Sequence, residues 1–166
     1  MTVIRSVFFL LLCTALPQGL AAQSLRIQEL FALLDSGEAG LDSFLVRKAF
    51  KLEEQNADSS MRLRYYTSLE PHTDEPTWVR SVSIWEVSEG SLTGRMVQYR
   101  TYQSREQEEM LSWLLQNEFV TVDRYVSEDV QHVVYRKEER RVFVKTGWAT
   151  LPNKRRLQYY IWELGK

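Results

Sequence analysis

Two stretches decide the fold: Leu41–Gln55, LDSFLVRKAFKLEEQ, and Met110–Arg124, MLSWLLQNEFVTVDR. Each opens with apolar residues at helical spacing and passes through a phenylalanine into a strand-like run. They stand 69 residues apart (110 − 41). At that offset Phe44 meets Trp113, Leu45 meets Leu114, Phe50 meets Phe119 and Tyr66 meets Tyr135. From 41 to 66, four of 26 aligned positions are identical: Ser43, Leu45, Phe50 and Tyr66. Average residue usage gives about one or two.

Elements on either side extend the correspondence. Apolar residues at 25, 27, 30, 31, 33 and 34 predict a helix. "DSGEAG" interrupts it, and a second helical segment follows to Lys48, giving a helix–turn–helix or one kinked helix over 25–48. Strands are expected from Phe50 to Gln55 and over 61–69, 77–87 and 92–102. The turn sequences NADSS and SEGS lie between them, as does the loop EPHTDEP. A helix over 104–118 follows, with Ser104 as N-cap and Gln107 as its capping-box partner. Strands are expected again near 119–126, 130–137, 140–150 and 156–164. Shortening the EPHTDEP loop by six then aligns Val79, Ser81, Ser83 and Trp85 with Val142, Val144, Thr146 and Trp148. The echo between Ile84–Val87, IWEV, and Ile161–Leu164, IWEL, is a coincidence under this alignment.

The expected fold is therefore α+β. It is a tandem duplication of a helix-plus-four-stranded antiparallel unit, with repeats over about 25–102 and 104–164. Short loops force antiparallel neighbours. The helices are expected on one face, leaving the other open to solvent. At the level of topology this order is similar to that of the β-lactamase inhibitor proteins. The resemblance implies a partner gripped by an open sheet, though that family leans on disulfides that this chain lacks.

Residues 1–22 have the order of a secretory signal peptide: one cation at Arg5, an apolar run over 7–16, then Pro17 and small residues at Gly19, Ala21 and Ala22. The apolar run is about half the length of a bilayer span. Cleavage leaves a single domain over 23–166 with no membrane span, in a secreted or periplasmic setting of bacterial type. Removing Arg5 leaves 20 cations against 22 acids, a net charge of −2. That balance argues against nonspecific nucleic-acid binding, which needs a basic surplus. Cys13, the one cysteine, leaves with the leader, so nucleophilic or metal chemistry on a thiol is excluded.

Little else points to catalysis. His72 lies in the EPHTDEP loop beside Asp74 and Glu75, and His132 corresponds to Leu63 on the side taken as inward. Either could act as a hydrolase base only with a carboxylate in reach. There is no Gly-rich phosphate loop, EF-hand, CxxC or GxSxG. No cofactor and no metal are expected. The runs RKEERR (136–141) and NKRR (153–156) fall in turns.

Along 61–69, Met61, Leu63 and Tyr65 are taken as the helix-covered side. Arg62, Arg64 and Tyr66 then point outward, with Trp78, Arg80, Phe143, Lys145, Tyr160 and Trp162 in the same outward set. Arg, Tyr and Trp dominate protein–protein hot spots. The expected function is a non-enzymatic binding protein that engages another protein through this aromatic and arginine-rich face. A carrier or sensor of a small apolar ligand, and a hydrolase using His plus carboxylate, are the alternatives.

Overall fold

The computed structural model describes residues 24–68, 80–89, 92–150 and 153–165. Residues 1–23, which hold the expected signal peptide, and His72 and Trp78 lie outside them. The helices are α1 (Ile27–Asp35), α2 (Glu38–Arg47) and α3 (Ser104–Gln116). The strands are β1 (Phe50–Ala57), β2 (Met61–Ser68), β3 (Ser81–Glu89), β4 (Leu92–Thr101), β5 (Val120–Ser127), β6 (Val130–Lys137), β7 (Arg140–Thr150) and β8 (Arg156–Gly165). All eight strands form one antiparallel sheet in the order β1-β2-β3-β4-β8-β7-β6-β5. The α+β expectation needs correcting in its balance: sheet dominates, and three short helices cover part of it.

The layers follow from strand pairing. Residues directly opposite one another on neighbouring strands project to the same face. One row runs Tyr66, Val82, Tyr99, Trp162, Val144, Val133 across six strands, and a second runs Arg64, Ile84, Val97, Leu164, Val142, Tyr135. Most of these are buried, with Tyr66, Val82, Tyr99 and Trp162 at 0 % exposure. All three helices sit on this face. Tyr66 Oη donates to Asp42 of α2, and Tyr99 Oη donates to Glu106 of α3 at 2.8 Å. Arg95 Nη1 donates to the carbonyls of Leu33, at 3.1 Å, and Ser36, at the end of α1. Phe31, Trp113 and Phe119 close the core between α1, α3 and the start of β5, with ring centroids 5.9–6.2 Å apart.

Local geometry recurs at the offset of 69. Both α2 and α3 run into a left-handed residue, Ala49 at φ 60° and Glu118 at φ 62°. The Ala49 N–H bonds the Val46 carbonyl at 3.0 Å and the Glu118 N–H bonds that of Leu115 at 3.2 Å. The register of β1 slips between Leu52 and Glu54, and that of β5 between Thr121 and Asp123. Leu52 faces Tyr66 as Thr121 faces Tyr135, and Asn56 faces Leu63 as Tyr125 faces His132.

The third strands obey a different offset. Tyr66 pairs with Val82 and Tyr135 with Val142, an offset of 60 (142 − 82). The connection is thus longer in the first half by nine residues (69 − 60), not six. An odd difference sends side chains to the opposite face. Trp85 and Trp148 are not equivalent, and the IWEV/IWEL echo joins opposite faces, since Trp85 is off the helix side and Trp162 on it. The α3 N-terminus also differs from expectation. Gln103 is the N-cap, without a side-chain cap bond, and Gln107 is buried. Glu106 is drawn instead to Tyr99, Thr101 and Arg80.

Candidate functional site: the open face of the sheet

The outward set needs correction in its side. Arg64 is 4 % exposed, Tyr66 and Trp162 0 %, and Tyr160 7 %. Arg62, Arg64, Tyr66, Arg80, Tyr160 and Trp162 belong to the rows that meet the helices. The arginines and Tyr66 pair with acids there, while the buried Trp162 Nε1–H has no partner among the described residues. Arg64 Nη2 lies 2.9 Å from Glu86 and its Nη1 3.6 Å from Asp42. Arg95 meets the other oxygen of Glu86 through Nε at 3.0 Å, and Arg62 lies 4.0 Å from Glu86. Arg80 pairs with Glu106 at 2.7 Å. Burial beside an acid raises the Tyr66 phenol to about 12; Asp42, accepting its proton, adds to the shift. Burial and nearby Glu106 raise Tyr99 well above the ordinary range. These groups tie helices to sheet.

Of the expected residues, Phe143 and Lys145 do lie on the open face. Phe143 is 36 % exposed, and Lys145 Nζ bonds Glu163 at 2.7 Å. Glu163 also accepts from Gln98 Nε2 at 2.7 Å, across the central β4–β8 pair.

The other open-face residues come from the parity first assigned inward. Leu63, Trp85 and Met96 are directly opposed across β2, β3 and β4. Met61 and Val87 oppose each other one step along, and Tyr65 follows Leu63 on the other side. Met61 is 44 % exposed, Val87 43 % and Met96 36 %; Leu63, Tyr65 and Trp85 are partly exposed. Towards β5, Tyr125 and His132 stack at 4.6 Å and 7°. Tyr159 lies over Gly147, where a Cβ would come within 2.4 Å of its hydroxyl, and Arg100 packs on its ring at 5.5 Å. The face therefore has an apolar part over β2–β4 and an aromatic, mixed-charge part over β5–β8.

One signal in the sequence marks this parity. In QHVVYRK (131–137), His132 and Arg136 alternate against Val133 and Tyr135. The polar set marks the solvent side. His132 does match Leu63 in register, so Leu63 belongs to that side as well.

His132 stacks on Tyr125 and stands opposite Lys145; among the described residues it bonds no carboxylate. Among the described residues no group of three or more His, Cys, Asp or Glu is placed to hold a metal ion, and no helix is long and apolar enough to cross a membrane. A cleft of about 880 Å³ between the N-terminal ends of α1 and α3 is lined by Arg26, Glu29, Lys48, Arg80 and Glu106.

Comparison with protein-family models, with curated proteins and with solved structures finds no match to this chain.

Proposed function

We propose that this chain is an exported, non-enzymatic binding protein that takes another protein onto its open sheet face. One observation carries the reading: Met61, Leu63, Tyr65, Trp85, Val87 and Met96 make one exposed or half-exposed apolar surface that none of the described helices covers. A contiguous apolar patch on a soluble surface marks an interaction site. Trp and Tyr suit such a site, being large and stiff, so little entropy is lost on contact. Export rests on the order of residues 1–22 alone, and the mass of the protein recovered from cells tests it. The signal-peptide reading predicts a chain starting at 22 or 23.

A tandem duplication is the proposed origin of the sheet. Its support is the common offset of 69 in the two helix ends, two left-handed residues, two bulges and two hairpin registers. The carrier alternative draws no support from the clefts. The 880 Å³ cleft carries Arg26, Glu29, Lys48, Arg80 and Glu106, which an apolar ligand would desolvate at a cost, and a second of about 520 Å³ mixes Asp58, Arg62, Glu86 and Arg95 with Met61 and Val87.

The test is quantitative capture on the immobilised protein from the medium or envelope fraction of the cells that make it. Trp85→Ala and Met96→Ala should lose the retained partner. Leu115→Ala, exposed at 64 % on α3, should keep it. Retention by the open-face variants and loss by Leu115→Ala would move the interface to the helices.

A further inference from the structure

The row through Leu63, Trp85 and Met96 continues past the apolar patch. It runs on through Gly165 of β8 to Arg141 of β7 and Arg136 of β6, each directly opposite the next. At about 4.8 Å per strand, these six positions span about 24 Å. Apolar side chains hold one end, two guanidiniums the other, and a glycine lies between. A Cβ at Gly165 would meet nothing within 4 Å among the described residues beyond its chain neighbours, so no side chain of β4 or β7 fills the ground between the two ends.

The arginine end carries an uncompensated cost. Like charges directly opposed in an antiparallel pair repel. The adjacent pair in the same hairpin, Lys137 opposite Arg140, turns to the helix side and is neutralised there. Lys137 lies 3.3 Å from Glu118, and Arg140 lies 3.7 Å from Asp35. Arg136 and Arg141 are both exposed and have no acid partner among the described residues. Glu163, two residues along β8, is already held by Lys145 and Gln98. An anion delivered by a partner would relieve the repulsion.

We infer that the partner presents a segment with apolar or aromatic side chains at one end and carboxylates at the other. It lies across the strands, its apolar end on Leu63, Trp85 and Met96 and its carboxylates between Arg141 and Arg136. This rests on the proposed binding face and gives that face its specificity. Guanidinium pairs carboxylate in a two-point fork, which fixes direction as well as charge. The remaining open-face cations favour a localised acidic end over an extended polyanion. Lys51 and Lys145 are neutralised by Glu53 and Glu163, and Arg100 is packed on Tyr159.

The experiment selects displayed random peptides of roughly ten residues on the immobilised protein. At about 3.3 Å per residue that length spans the row. The enriched peptide is then titrated against wild type, Trp85→Ala, Gly165→Phe and the double variant Arg136→Glu with Arg141→Glu, each first checked for an unchanged melting transition. Enriched peptides should carry Asp or Glu at one end and Trp, Phe or Leu at the other. The double charge reversal should weaken binding roughly tenfold or more, and a peptide with Lys in place of the acids should recover it. Gly165→Phe should block binding. No enrichment, or enrichment of peptides without acids, overturns the inference. So does tighter binding of single-stranded DNA or phosphatidylglycerol vesicles lost in the same double variant. Binding lost in Trp85→Ala but kept in the double variant sinks the acidic segment and leaves the face standing. Binding kept in both sinks both.

Discussion

Ala49 and Glu118 hold left-handed backbone where glycine is the usual occupant, just past the ends of α2 and α3. A Cβ there costs about 1–2 kcal/mol, and the looser unfolded chain of a glycine variant gives back about 0.4–1 kcal/mol. Ala49→Gly and Glu118→Gly should therefore each stabilise the protein by about 0.5–1 kcal/mol, read as a higher urea midpoint. A lower midpoint for both would contradict a left-handed backbone at these two positions. Tyr66 sets a second expectation at this scale. Its proton is held by burial and by Asp42, up to about 12, and Tyr99 is shifted the same way. A phenol with a raised folded value contributes its full stability below the ordinary tyrosine range. That contribution is lost as pH climbs from about 10 towards about 12, because the unfolded chain releases protons the folded one keeps. Tyr66→Phe should lose about 1 kcal/mol at neutral pH with its bond to Asp42. It should also flatten the alkaline decline of the unfolding midpoint.

Helices are fastened to the sheet by charge as well as by apolar packing. Glu86 is the carboxylate shared by Arg64 and Arg95, and Arg95 also reaches the last carbonyls of α1. With side chains 5–18 % exposed, removing the shared carboxylate strands buried charge. Glu86→Ala should cost about 3 kcal/mol. Glu86→Gln should cost less, as the amide keeps an acceptor. Equal midpoints for wild type and Glu86→Ala would show the network to be solvated decoration. On the open side, Gly147→Ala should push the Tyr159 ring off β7 and break its contact with Arg100. The change should appear as a shifted Tyr159 ring signal in NMR spectra, with a stability loss of about 1 kcal/mol. These elements were legible to different degrees. The 3.6-residue spacing placed helix over 25–48 and 104–118, the first stretch readable as two helices or one kinked helix, and turn chemistry placed the hairpins. Which face of β2 looks outward was not legible from MRLRYYTS alone, because arginine and tyrosine serve a buried network as readily as a wet surface. The acids that draw them inward, Asp42 and Glu86, lie on other elements.

At the scale of the whole molecule, the described residues form eight strands in one sheet with three helices on one side, and none of those helices lies on the other. The pattern of apolar and polar residues pointed to antiparallel neighbours and helices on a single side, but the sheet outweighs the helices more than an α+β class implies. The length difference between the β2–β3 and β6–β7 connections hid behind the EPHTDEP loop. An error of three residues there is enough to exchange the two faces of β3. Trp85 is only partly buried and touches no helix row, so Trp85→Ala should leave the melting temperature nearly unchanged while binding is lost. A large drop in melting temperature would instead make Trp85 a core residue. The most direct test of the binding face is a hydroxyl-radical footprint of the protein alone and with its captured partner. Met61, Trp85 and Met96 should react in the free protein and be protected in the complex, while Val46 and Leu115 on the helices react equally in both. Protection of Val46 and Leu115 with Met61, Trp85 and Met96 still reactive would contradict it.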